Sequence, residues 1–164
     1  REFLNMSKPA SVLGDKRMVF DSSGVHNLHR RLFGLVGAEL KDPAKGDTIV
    51  TVWGKLYRRS LIANVRFVDT KRVGTEDCLY NIEVFNKLNS AVYIPEYGYH
   101  YRKYNAKSLT TVYNPNLFSG WQKMYEMMEK FIVSQNLPEE YRKALQNRRA
   151  IHLIALGINV VSAS

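Results

Sequence analysis

Apolar side chains at Val25, Leu28, Leu32, Leu35 and Val36 recur at the spacing of one helix face, behind Ser22 or Ser23 as candidate caps. The polar run Lys41-Asp-Pro-Ala-Lys-Gly-Asp47 then reads as a turn. Thr48 to Trp53 is β-branched and aromatic, which suits a short strand, and Lys55 to Ile62 suits a short helix that sets Trp53 and Lys55 beside a cleft. Thr75 is placed to cap a helix with Glu76 and Asp77 in its first turn, and Leu79, Ile82, Val84, Phe85 and Leu88 supply its buried face to about Asn89. Ala91 to Tyr104 alternates aliphatic and tyrosine positions around Pro95 and Gly98, predicting extended chain with a bend or edge position. After Asn114-Pro115 the pattern is helical to about Gln135, stops near Asn136-Leu137-Pro138 and resumes from Glu139 to about Val161. Arg1 to Lys16 has no periodicity and reads as linker. The expected class is α+β, mostly helical, with a few strands and a C-terminal helical pair.

Composition supports a folded domain, since 45% of 164 residues are apolar and 12% aromatic. Lys and Arg outnumber Asp and Glu by 24 to 15, giving a positive field that draws anions such as sugar nucleotides, nucleic acid or acidic lipid headgroups. The single cysteine, Cys78, can form no internal disulfide, so a reducing cytoplasm is expected. The longest apolar run, 150 to 161, is broken by His152, Gly157 and Asn159 and is too short to cross a bilayer.

Three segments carry candidate chemistry in one order: Trp53-Gly-Lys-Leu-Tyr-Arg-Arg59, then Gly74-Thr-Glu-Asp77, then Tyr99-His-Tyr-Arg-Lys-Tyr-Asn-Ala-Lys-Ser108. Together they resemble the acceptor half of an inverting family 2 glycosyltransferase of the GT-A fold. The resemblance implies Asp77 as the general base that takes the acceptor hydroxyl proton, and Glu76 as a group that orients or binds acceptor. It implies sugar stacking by Trp53, a hydroxyl or phosphate contact from Lys55, and a grip on the leaving diphosphate by Arg102 and Ser108. His100 is a further substrate-side candidate that could also ligate a divalent metal, as a late His does in some GT-A enzymes, to be weighed against an ordinary half-buried histidine. Without this context, Glu76 and Asp77 read as helix-capping acids, Trp53 as a packing residue and Lys55 as a solvated charge.

The resemblance covers about Ser23 to Tyr113. A GT-A enzyme also has an α/β nucleotide-binding half with an acidic Asp-x-Asp element for a divalent metal, Mg or Mn, and this sequence contains no Asp-x-Asp. The expectation is therefore a fragment that cannot transfer sugar alone, whose parent uses a nucleotide-sugar donor and a saccharide or lipid-linked acceptor in a polysaccharide or cell-envelope pathway. Its expected division is 1–22 linker or poorly ordered start, 23–113 acceptor-side part and 114–164 helical extension. The cluster Arg142, Lys143, Arg148 and Arg149 ahead of an apolar segment suits peripheral contact with the inner face of a membrane, although an ordinary helix whose basic face is solvated and whose apolar face packs on the domain explains it more simply. An exposed strand edge would allow pairing between copies. The alternative reading is a non-catalytic basic module for nucleic acid, a partner protein or a membrane surface, with bases stacking around Tyr101 to Tyr104.

Overall fold

The computed structural model describes residues 12–96, 98–99 and 113–161. Strand β1 (Met18–Phe20) leads into helix α1 (Ser22–Phe33), followed by two 3-10 turns at Gly37–Lys41 and Pro43–Lys45. Two single-turn helices, α2 (Arg59–Ile62) and α3 (Thr70–Val73), precede α4 (Glu76–Phe85), strand β2 (Ala91–Tyr93) and the long helices α5 (Leu117–Ser134) and α6 (Glu139–Val161). The described fold is mostly helical with one two-stranded sheet, compatible with an α+β fragment. Among the described residues no helix is long and apolar enough to cross a membrane.

Burial of amphipathic faces builds one core. Helix α1 packs on α4 and α6, α3 on α5, and α5 on α6. Leu32, Phe33, Ile82, Met124, Met128, Tyr141 and Leu145 meet there fully buried. Residues from 114 onward thus share their core with α1 and α4. The pause between α5 and α6 falls at Asn136, which takes a left-handed φ of 48° while the Leu137 N–H reaches the Ile132 carbonyl at 3.0 Å.

Local chemistry moves several boundaries from their expected places. Helix α1 is capped by Asp21, whose Oδ1 accepts from Gly24 N at 2.9 Å, because the Ser22 hydroxyl instead donates to the Asn89 carbonyl. Helix α4 stops at Phe85, short of Asn89. The end of the 1–22 segment expected to be linker forms β1, which pairs antiparallel with β2 in the register Met18 to Tyr93, Val19 to Val92 and Phe20 to Ala91. In the segment expected to be extended from Ala91 to Tyr104, the described strand ends at Tyr93, and Tyr101 to Tyr104 lie outside the described residues.

Thr48 to Trp53 is not a strand but a run of turns, and the helix expected from Lys55 forms only at Arg59. The β-branched residues there serve burial, with Ile49 and Val50 in the core, while the backbone pairs with no strand among the described residues. Side chains of α4 hold that backbone instead.

Gly34, directly after α1, is dictated by close approach. A Cβ there would stand 2.1 Å from the Ala144 carbonyl oxygen of α6, and its φ of 152° disfavours other residues. The end of α1 therefore lies directly against α6.

Candidate functional site

Asp77 sits in the first turn of α4, where the helix dipole favours a carboxylate. Its Oδ2 accepts a hydrogen bond from the backbone N–H of Val52 at 3.0 Å, and its Oδ1 has no hydrogen-bond partner among the described residues. The carboxylate is thus anchored to the 50–52 backbone through one oxygen. Glu76, beside it, is half-buried and forms no hydrogen bond or ion pair among the described residues.

One turn further along α4, Asn81 is completely buried and joins the helix to the loop. Its Nδ2 donates to the Val50 carbonyl at 2.8 Å, the Thr51 carbonyl at 3.2 Å and the Asp77 carbonyl at 3.1 Å, while its Oδ1 accepts from the Tyr57 hydroxyl at 2.8 Å. Asp77 and Asn81 together satisfy an N–H and two carbonyls of the 50–52 backbone, in place of a strand partner. Burial and the neighbouring Tyr80 push the Tyr57 hydroxyl pKa far up, so it remains a neutral donor.

The Lys55 ammonium donates to the Thr51 carbonyl. Desolvation lowers its pKa from 10.5 to about 8, and the nearby Asp77 charge opposes that fall. A lysine poised near neutrality beside a carboxylate in a partly enclosed setting is a feature of functional sites. Trp53, 42% exposed, stacks on Tyr99 with ring centroids 4.8 Å apart and planes at 21°. Tyr99 thus stands against Trp53, which lies on the same loop as Lys55.

Trp53, Lys55, Glu76 and Asp77 are therefore gathered where the 50–55 loop meets the start of α4. Arg102, Ser108 and His100 lie outside the described residues. Asn81, Tyr57 and Tyr99 were missed as contributors. The available signal was Asn81 itself, an amide on the apolar face of α4 and one turn beyond Asp77, since a buried amide must find partners.

A second polar cluster backs the loop. Arg148, expected with Arg142, Lys143 and Arg149 to face outward, is only 3% exposed; its Nη2 donates to Asp47 Oδ1 and its Nη1 to the Leu32 carbonyl at 3.1 Å. His152 Nε2 lies 3.8 Å from Asp47 Oδ2, and its Nδ1 is 2.7 Å from the Tyr125 hydroxyl. His152 and Arg148 beside it hold the Asp47 carboxyl at a pKa of about 2. The adjoining cleft, lined by Gly34, Gly46, Asp47, Arg148 and His152, encloses about 30 Å³, room for about one water molecule.

Among the described residues no three His, Cys, Asp or Glu side chains gather as a metal-ligand set. The ligands of the divalent metal expected in a full-length parent are thus not found among them.

Comparison with known proteins gives one informative match. No family model matches the chain, and no solved structure matches it. Over 103 residues the chain is 32% identical to the "Putative glycosyltransferase EpsH" of Bacillus subtilis (strain 168), a match covering 61% of this chain and 30% of that protein. The aligned part thus spans under a third of the relative's length. The similarity supports a glycosyltransferase relationship.

Proposed function

We propose that this chain is the acceptor-side part of an inverting family 2 glycosyltransferase of the GT-A fold, with Asp77 as its general base. The observation that carries this reading is the Asp77 carboxylate at the start of α4, with Oδ2 held by the Val52 N–H and Oδ1 without a hydrogen bond among the described residues, near Lys55 and Trp53. The glycosyltransferase relationship supports the same reading.

In this mechanism Asp77 Oδ1 takes the proton of the acceptor hydroxyl as that oxygen bonds to the anomeric carbon of the donor sugar. The anomeric carbon–oxygen bond to the nucleoside diphosphate breaks on the opposite face, and the electron pair leaves with the diphosphate. Trp53 and Tyr99 stack on the acceptor sugar, Glu76 accepts from one of its hydroxyls, and Lys55 donates to a hydroxyl or phosphate oxygen. Arg102 and Ser108 are assigned the leaving diphosphate, and His100 a substrate contact. The donor is a nucleotide sugar bound by the other half of a longer parent, with its divalent metal, so this chain alone does not transfer sugar. The acceptor is a saccharide or lipid-linked saccharide handled in the cytoplasm at the inner face of the membrane.

The test is transfer from a panel of nucleotide sugars by the full-length parent and by its Asp77→Asn variant. Asn retains the acceptor for the Val52 N–H but cannot take a proton, so kcat should fall by about 10²- to 10⁴-fold with donor KM nearly unchanged. Undiminished turnover in the variant would overturn the assignment of the base, and turnover by the isolated chain would overturn its inactivity.

A further inference from the structure

We infer that Asp47, His152 and Trp121 form a positioning assembly through which the C-terminal helical pair fixes both walls of the Asp77 site. The inference rests on the proposed role of Asp77. One wall is the loop that presents the Val52 N–H, and the other is the start of α4. Asp47, five residues before Val52, is held from α6 by Arg148 and faces His152 Nε2. The other side of the His152 ring lies against Trp121 of α5, with centroids 4.2 Å apart, and Trp121 Nε1 donates to Thr75 Oγ1 at 3.2 Å. Thr75 is the residue that immediately precedes α4. A continuous run of side chains thus leads from the loop through α6 and α5 to the helix that carries Asp77.

Two observations separate this run from ordinary packing. Thr75 occupies the cap position of α4 yet makes no side-chain capping bond, its hydroxyl oxygen accepting from Trp121 instead. Arg148 and His152 are buried polar groups in a place where apolar side chains would fill the same space without the cost of desolvation. Their polar atoms are directed at Asp47, Leu32 and Tyr125, so they fix orientation as well as fill volume. A base that must meet an acceptor hydroxyl tolerates little displacement, so the Val52-to-Asp77 contact is the quantity this assembly sets.

Amide hydrogen exchange and NMR of the Val52 N–H, which donates to Asp77, test the inference directly on this chain. Asp47→Asn changes a largely solvent-facing carboxylate, His152→Phe keeps the ring but removes its polar contacts, and Trp121→Phe removes the donor to Thr75. Each should speed Val52 exchange by about tenfold while Met128 and Ile132 in α5 stay within about twofold of wild type. Should His152→Phe fail to fold, the other two variants decide the matter. Unchanged Val52 exchange in Asp47→Asn and Trp121→Phe would overturn the inference, as would acceleration in step with Met128 and Ile132. In the parent the same variants should lower kcat by about tenfold with donor KM within about twofold. A parent with no transfer at all, alongside the expected Val52 changes, would instead sink the assignment of Asp77 on which the inference rests.

Discussion

Replacing Asn81 by Ala should be among the most damaging single changes outside the apolar core, and the structure allows its size to be worked out. The side chain is completely buried and holds the Val50 and Thr51 carbonyls and the Tyr57 hydroxyl. Its fourth contact, to the Asp77 carbonyl, is the least costly to lose, because that carbonyl also lies within the helical ladder of α4. Val50 is buried, so its orphaned carbonyl costs about 1–3 kcal/mol, whereas the Thr51 carbonyl keeps the Lys55 ammonium and the half-buried Tyr57 hydroxyl can regain water at about 0.5–1 kcal/mol. The sum is about 1.5–4 kcal/mol before any relaxation, a large part of the roughly 5–15 kcal/mol by which domains are stable. At about 3 kcal/mol the melting temperature of a domain this size falls by about 6–12 °C. Urea unfolding at pH 7, with Asn86→Ala as control, measures the difference, since the exposed Asn86 bonds only the Gln135 side chain and should cost under about 0.5 kcal/mol. A loss below about 1 kcal/mol for Asn81→Ala would refute the argument that α4 side chains substitute for a strand partner.

Acid should weaken the fold through His29, whose pKa is lowered by burial, and by the nearby His26, from 6.5 to about 4. The unfolded chain binds this proton below about pH 6.5 and the folded chain does not, so stability present above that pH is lost as pH falls towards 4, by up to about 3 kcal/mol. Urea midpoints at pH 7 and 4.5 should differ less in His29→Leu than in wild type, and an equal difference in both would reject the assignment. Lys55, with its pKa near 8, should be acylated ahead of other lysines at pH 8, and Asp77→Asn should move its midpoint lower by removing the charge that raises it. Peptide mass spectrometry after brief labelling reads both effects, and a Lys55 labelled no faster than the rest contradicts the first. Gly34→Ala should cost more than about 3 kcal/mol in thermal or urea unfolding, because its Cβ would collide with the Ala144 carbonyl, and a near-neutral variant would show that α1 and α6 can part there.

What was legible in the sequence was what local pattern encodes. Helices α5 and α6 stand close to their expected limits because long 3.6-residue periodicity and the Asn136-Leu137-Pro138 break act within the chain's own neighbourhood. The Thr75, Glu76 and Asp77 start of α4 was legible for the same reason. The 48–53 segment was not, because β-branched composition signals burial as readily as pairing, and the groups that decide its backbone, Asp77 and Asn81, lie 25 to 31 residues away. Arg148 was misplaced by the same limit. A charge cluster reads as a solvated face until a partner is seen, and here the partner, Asp47, stands 101 residues away.

The same non-local contacts explain why the candidate site lies where it does. A paired strand at 48–53 would spend its N–H and C=O groups on a neighbouring strand. In this loop they are spent on side chains: Val52 N–H on Asp77, the Thr51 carbonyl on Lys55 and Asn81, the Val50 carbonyl on Asn81. Three adjacent residues of backbone therefore set the positions of the carboxylate and the ammonium together, and a shift of that loop would move both. Capping alone does not require this arrangement, since an acid in a first helical turn is stabilised by its own helix without reaching a distant loop. Asp77 uses one oxygen to lock the loop to α4, and its other oxygen has no hydrogen-bond partner among the described residues, so a structural anchor is compatible with the base proposed above in one side chain.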